Sequence, residues 1–305
     1  MLGEHGVHWF EPLWRAGFLH DRVEVDRGFV RPLAMPAASA LLLDPSLFRM
    51  SPIVYRLEKR TSIDYYTDTW EATRLGIAGE LGRATVRLRH PDRDEHDVVG
   101  RERSILERFS NPTIPGVLDV AQTVTGTALV LPLFGERVLV HSALATPEVA
   151  RLGIQLARAL DELHAADVFH GRILRTEIST LDATVRLDGL AHARCDLPRS
   201  PVERPTVFDR RNLSYLSPEQ IRCRAWSGPT DVWALAMVLV ELAQGFHPLH
   251  SRNGEFERLQ AIHGMHLELP IARTALGQVL VRGLVAEPEL RLSAKGLAEA
   301  LEAFA

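Results

Sequence analysis

Leu163-His164-Ala165-Ala166-Asp167-Val168-Phe169-His170 ends a long amphipathic pattern in which Val149, Leu152, Leu156, Leu160 and Leu163 recur at helical spacing. Thr146-Pro147-Glu148 opens that pattern with a capping residue, a proline in the first turn and an acid. Downstream, Tyr215-Leu216-Ser217-Pro218-Glu219-Gln220 is followed by Pro229-Thr230-Asp231. The latter opens an apolar helix carrying Trp233, Leu235, Val238, Leu239 and Leu242 and closing at Gly245. Leu292-Ser293 opens a last helix with Leu297, Leu301 and Phe304. Upstream the period changes. Ala84-Thr85-Val86-Arg87-Leu88 is β-branched and bounded by Gly82 and Pro91-Asp92, and Gln122–Thr125 with Ala128–Leu131 reads as a hairpin around Thr125-Gly126. One helix interrupts these strands, from Val98 to Phe109, with Ile105, Leu106 and Phe109 on one side and Ser110-Asn111-Pro112 as its stop. A small, mostly β half thus precedes a larger, mostly α half, an α+β order of elements.

Composition bounds the function. The 305 residues are 46% hydrophobic and 24% charged, which excludes a disordered chain and suits two lobes. The net charge of −4 lacks the basic excess of a nucleic-acid binder. Lys59 and Lys295 are the only lysines, so amine chemistry has two places to reside. Cys195 and Cys223 make neither a disulfide framework nor a zinc spacing. His247 with His250, and His263 with His266, lack companion ligands, so no metal site is expected of them. The uncharged stretch from Leu33 to Leu43 is too short for a bilayer, and the N-terminus lacks the basic start of a signal peptide. These features predict a soluble, cytoplasmic protein without a membrane or nucleic-acid partner.

The four motifs at Leu163–His170, Tyr215–Gln220, Asp231–Leu235 and Arg291, in this order and spacing, resemble the C-lobe of the protein-kinase superfamily. The likeness is nearest to the bacterial eukaryotic-like Ser/Thr kinases and runs from about Tyr55 to Ala305. It implies a bilobal α+β fold: an N-terminal extension over 1–50, an antiparallel β N-lobe with its helix C over 51–135, and a mostly α C-lobe over 136–305. It also implies that Glu219 and Arg291 form a buried ion pair and that Asp231 caps its helix and holds the backbone at His170. These three are anchors of the fold.

The same resemblance locates the positions that carry chemistry in the family, and several are changed. Ser62, Asp64 and Thr67 fall where loop glycines belong, and no glycine occurs from Tyr55 to Leu75, although glycine is what lets backbone approach phosphate closely. Arg87 takes the lysine position of the third strand, and Glu102 matches the helix C glutamate. The two are placed to pair in a fork, or else stand as solvated charges. His170 keeps the catalytic-loop histidine, Gly171 replaces an arginine, and Arg172 occupies the place of the catalytic aspartate. A guanidinium cannot accept a proton. Glu177 sits at the metal-binding asparagine, where a carboxylate still suits magnesium. The ungapped match to the Asp-Phe-Gly motif is Gly189-Leu190-Ala191, and a one-residue contraction makes it Asp188-Gly189 instead. Thr69 and Thr85 replace apolar residues against adenine, and Pro132 removes an amide from the hinge.

With these changes the resemblance implies a pseudokinase: no enzyme, no catalytic residue, no resident ATP or magnesium, acting as a scaffold or allosteric regulator through a protein partner. The alternative is a divergent ATP-dependent transferase with Glu177 and Asp188 as metal ligands. A ligand sensor is a third reading. Trp9, Phe10 and Trp14 in the extension either pack back on the lobes or dock the partner. The segment Cys195–Asn212, rich in proline, is the other candidate surface.

Overall fold

The computed structural model describes residues 29–30, 53–63, 67–76, 78–89, 98–123, 126–138, 142–195, 213–222 and 226–305. Trp9, Phe10, Trp14, Asp64 and the segment 196–212 lie outside the described residues. The chain divides into two compact units. One holds the described residues as far as Arg108 together with Gly116–Phe134, and the other holds Phe109–Pro115 with Gly135–Ala305.

The first unit is an antiparallel sheet with one helix. Its strands are β1 (Phe29–Val30), β2 (Val54–Ile63), β3 (Thr67–Gly76), β4 (Gly79–Arg89), β5 (Asp119–Thr123) and β6 (Gly126–Pro132), in the spatial order β1-β2-β3-β4-β6-β5. Tyr55, Ala72, Ala84, Val86 and Val130 form a buried cluster with Ile53, Leu57 and Leu88 against it. The β5–β6 hairpin pairs Thr123 with Gly126, so the glycine is already a strand residue rather than part of the turn. Helix α1 (Val98–Leu106) packs on β4 and β6 and buries Val98, Val99, Ile105 and Leu106. It ends three residues before Phe109, because the chain needs Asn111 and Pro112 in a turn: the Asn111 side chain accepts the Thr113 amide at 2.9 Å.

The second unit is mostly helical. Its sheet is small: β7 (Glu136–Arg137), β8 (Ile178–Leu181) and β9 (Thr184–Leu187), antiparallel in that order. Helix α2 (Thr146–Ala165) begins one residue beyond its cap at Ala145, whose N–H donates to the Glu148 carboxylate at 2.9 Å. The short α3 (Pro218–Ile221) is capped by Ser217, and the long α4 (Gly228–Gln244) is buried over nearly its whole length, with Trp233 wholly enclosed. Then follow α5 (Glu255–His263), α6 (Ala275–Val281) and α7 (Ala294–Leu301), the last capped by Ser293. Helix α2 packs on α4 and α7, so its leucine stripe, with Leu156, Leu160 and Leu163 inaccessible, is the centre of the core. Among the described residues no helix is long and apolar enough to cross a membrane.

Candidate active site

In the first unit, β4 runs beside β3 in a register that sets Arg87 opposite Thr69. Strand β4 is buried on both faces from Ala84 to Arg87, so its alternate side, Thr85 and Arg87, must find polar partners. Thr85 Oγ accepts the Phe134 amide at 3.2 Å. Arg87 Nε reaches Thr69 Oγ at 3.4 Å, and its Nη1 bonds Glu102 Oε1 on α1. Arg87 and Glu102 are 5% and 1% exposed, so their charges stand away from water and hold α1 to the sheet. Ser62 lies at the end of β2 opposite Thr69, and Thr67 begins β3 buried. Thr61 Oγ donates to the Thr69 carbonyl at 3.2 Å. The hydroxyls at 69 and 85 are therefore partnered inside the sheet.

In the second unit, Asp231 in the first turn of α4 organises the segment after α2. Its two carboxylate oxygens accept the His170 amide at 2.8 Å and the Gly171 amide at 2.7 Å, and His164 Nε2 lies 2.9 Å away. His170 is fully buried; its Nε2 faces the Asp188 carbonyl at 2.8 Å while its Nδ1 takes the Arg172 amide at 3.3 Å. The tautomer protonated at Nε2 satisfies both contacts. One imidazole thereby spaces Arg172 from Asp188.

Gly171 has φ +70°, and a Cβ there would lie 2.2 Å from the Trp226 ring. No arginine fits at this position, since Trp226 occupies the space its stem would need. Gly171→Ala is expected to destabilise the chain by about 1–3 kcal/mol from overpacking, with backbone strain added. Urea unfolding checks this, and pairing it with Trp226→Ala should recover part of the loss.

Glu177 and Asp188 are drawn together by β8 and β9, which pair Ile178 with Leu187 and leave the two acids at the same end of the hairpin. The Asp188 amide donates to the Glu177 carbonyl at 2.8 Å, and a Cβ built on Gly189 would sit 3.5 Å from the Glu177 carboxyl carbon. Gly189 has φ +92°, which turns the chain so that its amide donates to Asp188 Oδ1 at 2.8 Å. Each acid also faces a cation. Arg137 Nη2 lies 3.1 Å from Asp188 Oδ2, and Arg172 Nη2 lies 3.5 Å from Glu177 Oε1. Carboxylates are the donors magnesium takes, ordinarily one or two of them plus substrate phosphates, and among the described residues no group of three His, Cys, Asp or Glu side chains is placed to hold a metal.

Away from these groups, Arg291 Nη1 and Nη2 grip Glu219 as a fork, both at 2.7 Å. Sequence reasoning missed Arg137, Trp226 and His164. The first two have no local signature: their partners lie 51 and 55 residues away in the chain. His164, six residues before the end of its motif, could have been suspected as a second partner of Asp231.

A profile of the protein kinase domain matches residues 84–300, most of the chain. The chain belongs to the protein kinase family. A calcium and calcium/calmodulin-dependent serine/threonine-protein kinase of Lotus japonicus is 28% identical over 171 residues, covering 53% of this chain and 32% of that protein. CBL-interacting protein kinase 2 of Oryza sativa is 25% identical over 221 residues, 65% of this chain and 46% of that protein. Serine/threonine protein kinase ypkA of Aspergillus fumigatus is 28% identical over 209 residues, 65% and 32% respectively. The kinase domain described here thus spans less than half the length of these relatives. All three are eukaryotic and lend nothing to a narrower bacterial placement.

These findings correct two expectations. The chain was expected to be no enzyme and to have no cofactor; membership of this family and relatives named as Ser/Thr protein kinases point to an enzyme, and such kinases use ATP and magnesium. The expectation added several independent losses together, of which Arg172 was the most damaging. Phosphoryl transfer passes through a loose transition state and draws mainly on positioning and electrostatics, so the loss of one base is not the loss of the reaction.

Proposed function

We propose that this kinase domain transfers phosphate from ATP to a Ser or Thr hydroxyl of a protein substrate, with Glu177 and Asp188 as its metal ligands. In this reading the two compact units are the lobes at 51–135 and 136–305, and Asp188-Gly189 is the contracted form of the metal-binding motif. The observation that carries it is the convergence of Glu177 and Asp188 at Gly189, a left-handed residue against which the Glu177 carboxyl group packs. Magnesium there, with the nucleotide, would neutralise charge on the phosphates.

The chain's own residues supply the rest. Arg87 carries the charge of a lysine without its compact contact and is held by Glu102 within its own unit. Asp231 and His170 hold the loop bearing Arg172. Arg172 does not take the substrate's proton; its guanidinium adds positive charge near Glu177. General base catalysis contributes roughly 10²–10⁴-fold, so turnover is expected to be slow by that factor beside a kinase with a carboxylate here. Glu219, Asp231 and Arg291 serve as anchors. Protein binding belongs to this reading as recognition of a protein substrate.

Long incubation with radiolabelled ATP, magnesium and a mixed Ser/Thr peptide pool tests it. Label should enter the peptides, with a magnesium-dependent thermal shift by nucleotide, and both should vanish in Asp188→Ala. Label unchanged in Asp188→Ala, or no nucleotide shift in the wild-type chain, would overturn the proposal.

A further inference from the structure

Resting on that reading, we propose that Gln220 is a positioning residue for the transfer: its side-chain amide sets the peptide that carries Arg172. The backbone of this loop is held at one polar atom after another. Asp231 accepts the His170 and Gly171 amides at 2.8 and 2.7 Å, and His170 Nδ1 accepts the Arg172 amide at 3.3 Å. The Gly171 carbonyl remains, and Gln220 Nε2 donates to it at 3.0 Å. The peptide between Gly171 and Arg172 is therefore gripped at both ends, its carbonyl by Gln220 and its N–H by His170. Glycine at φ +70° restrains its own backbone least, so the orientation of that peptide depends on outside partners. Beyond it, Arg172 Nη2 lies 3.5 Å from Glu177 Oε1, so a rotated peptide shifts a guanidinium beside a candidate metal ligand.

The same side chain has a second task. Gln220 Oε1 accepts the Ser217 amide at 2.9 Å while Ser217 Oγ accepts the Gln220 amide at 3.3 Å, the reciprocal cap that opens α3. The Ser217 amide only donates and the Gly171 carbonyl only accepts, so the two neighbours fix which end of the Gln220 amide is which. Gln220 is buried, so water is a poor substitute for either partner. One planar group thus ties the start of α3 to the loop at 170–172. The segment before α3 also reaches the other end of that loop. The Tyr215 hydroxyl donates to Glu241 Oε2 at 2.5 Å, and Arg175 Nε donates to Glu241 Oε1 at 3.1 Å. Glutamine is the side chain that serves both tasks of residue 220: an ionised glutamate would cap α3 but has no proton for Gly171.

The two tasks separate by substitution. Gln220→Glu keeps the cap acceptor and loses the donor. Gln220→Met, of similar length, loses both and cannot regain a donor by protonation. Ser217→Ala weakens the cap and leaves the bridge to Gly171. The whole chain in each form is followed by thermal melting, by amide hydrogen exchange and by steady-state labelling of the peptide pool with ATP and magnesium. Gln220→Glu should melt within about 3 °C of the wild type, exchange the Arg172 amide about tenfold faster and lose about tenfold in kcat, with KM for ATP unchanged. Gln220→Met should show the same two losses at a lower melting temperature. Ser217→Ala should melt lower yet keep the wild-type kcat and the wild-type exchange at Arg172. Unaltered exchange or unaltered kcat in the folded Gln220 variants overturns the inference, as does an equal loss of kcat in Ser217→Ala, which would mark an effect of the cap alone; in each case the functional reading stands. Absence of magnesium-dependent label from the wild type overturns the functional reading, and this inference with it.

Discussion

Replacing Arg291 with alanine is expected to lower the melting temperature by about 6–20 °C, from a loss of roughly 3–5 kcal/mol at about 2–4 °C per kcal/mol. The Arg291 side chain is wholly enclosed, and every nitrogen of its guanidinium is engaged. Nε donates to the Val285 carbonyl at 2.6 Å, Nη1 to Glu219 Oε1 and the Pro229 carbonyl, and Nη2 to Glu219 Oε2 and the Ala286 carbonyl. Its plane also lies over the Trp233 ring, 5.0 Å from the centroid. Alanine leaves the Glu219 carboxylate buried without its counter-charge and three carbonyls without a donor, which is the costly way to break such a pair. Lysine keeps a charge but not the fork, so Arg291→Lys should fall between. A shift under about 3 °C for Arg291→Ala would show that the pair is dispensable. The pair also has a pH signature. Burial pushes the Glu219 carboxyl up, but the hydrogen bonds and charge of Arg291 outweigh it and hold the group below its ordinary 4.5. Its folded value lies below its unfolded one, so its stabilisation is complete above about 4.5 and is lost as pH falls through the folded value. The wild type should therefore soften in acid more steeply than Arg291→Ala.

Asp231→Ala is the second large effect. The carboxylate is fully buried and accepts two backbone amides, at His170 and Gly171, besides its contact with His164. Each buried amide left without an acceptor costs about 1–3 kcal/mol, so the expected loss is about 2–6 kcal/mol. The defect is local as well as global. Amide hydrogen exchange at residues 170–172 should accelerate by more than at the centre of α2, because the loop's only described tie to α4 through its amides is gone. Asp231→Asn retains one acceptor oxygen and should lose protection at one amide preferentially. Unchanged exchange at these amides in Asp231→Ala, with unchanged melting, would show that the loop holds itself.

The fold was legible because its signals are periodic and punctuated. The leucine stripe of α2, the prolines opening α2 and α4 and the serine cap of α7 are local chemistry, and local chemistry is written in adjacent residues. Helix α1 was read too long because the apolar Phe109 fits a helical period, while the turn at Asn111 takes the chain away first. The site divides differently. Sequence placed Arg172 and Glu177 in one loop and favoured Gly189 over Asp188 as the motif residue, because the ungapped match keeps Ala193-Arg194 in phase. The contracted form, with Asp188, belongs to the function proposed above, which draws on the backbone turn at Gly189 and on where the hairpin of β8 and β9 ends.

The sequence by itself determined an α+β chain of the protein-kinase kind, since element order and motif spacing follow from local propensity and burial pattern. Only the tertiary structure decided what each substituted position touches. Arg87 meets Glu102 across 15 residues, Arg137 meets Asp188 across 51, and Trp226 fills the space over Gly171. A charge in a sequence has no fixed meaning until folding sets its neighbours, because a carboxylate or guanidinium gains or loses free energy by what lies within a few ångströms, and that distance is independent of separation along the chain.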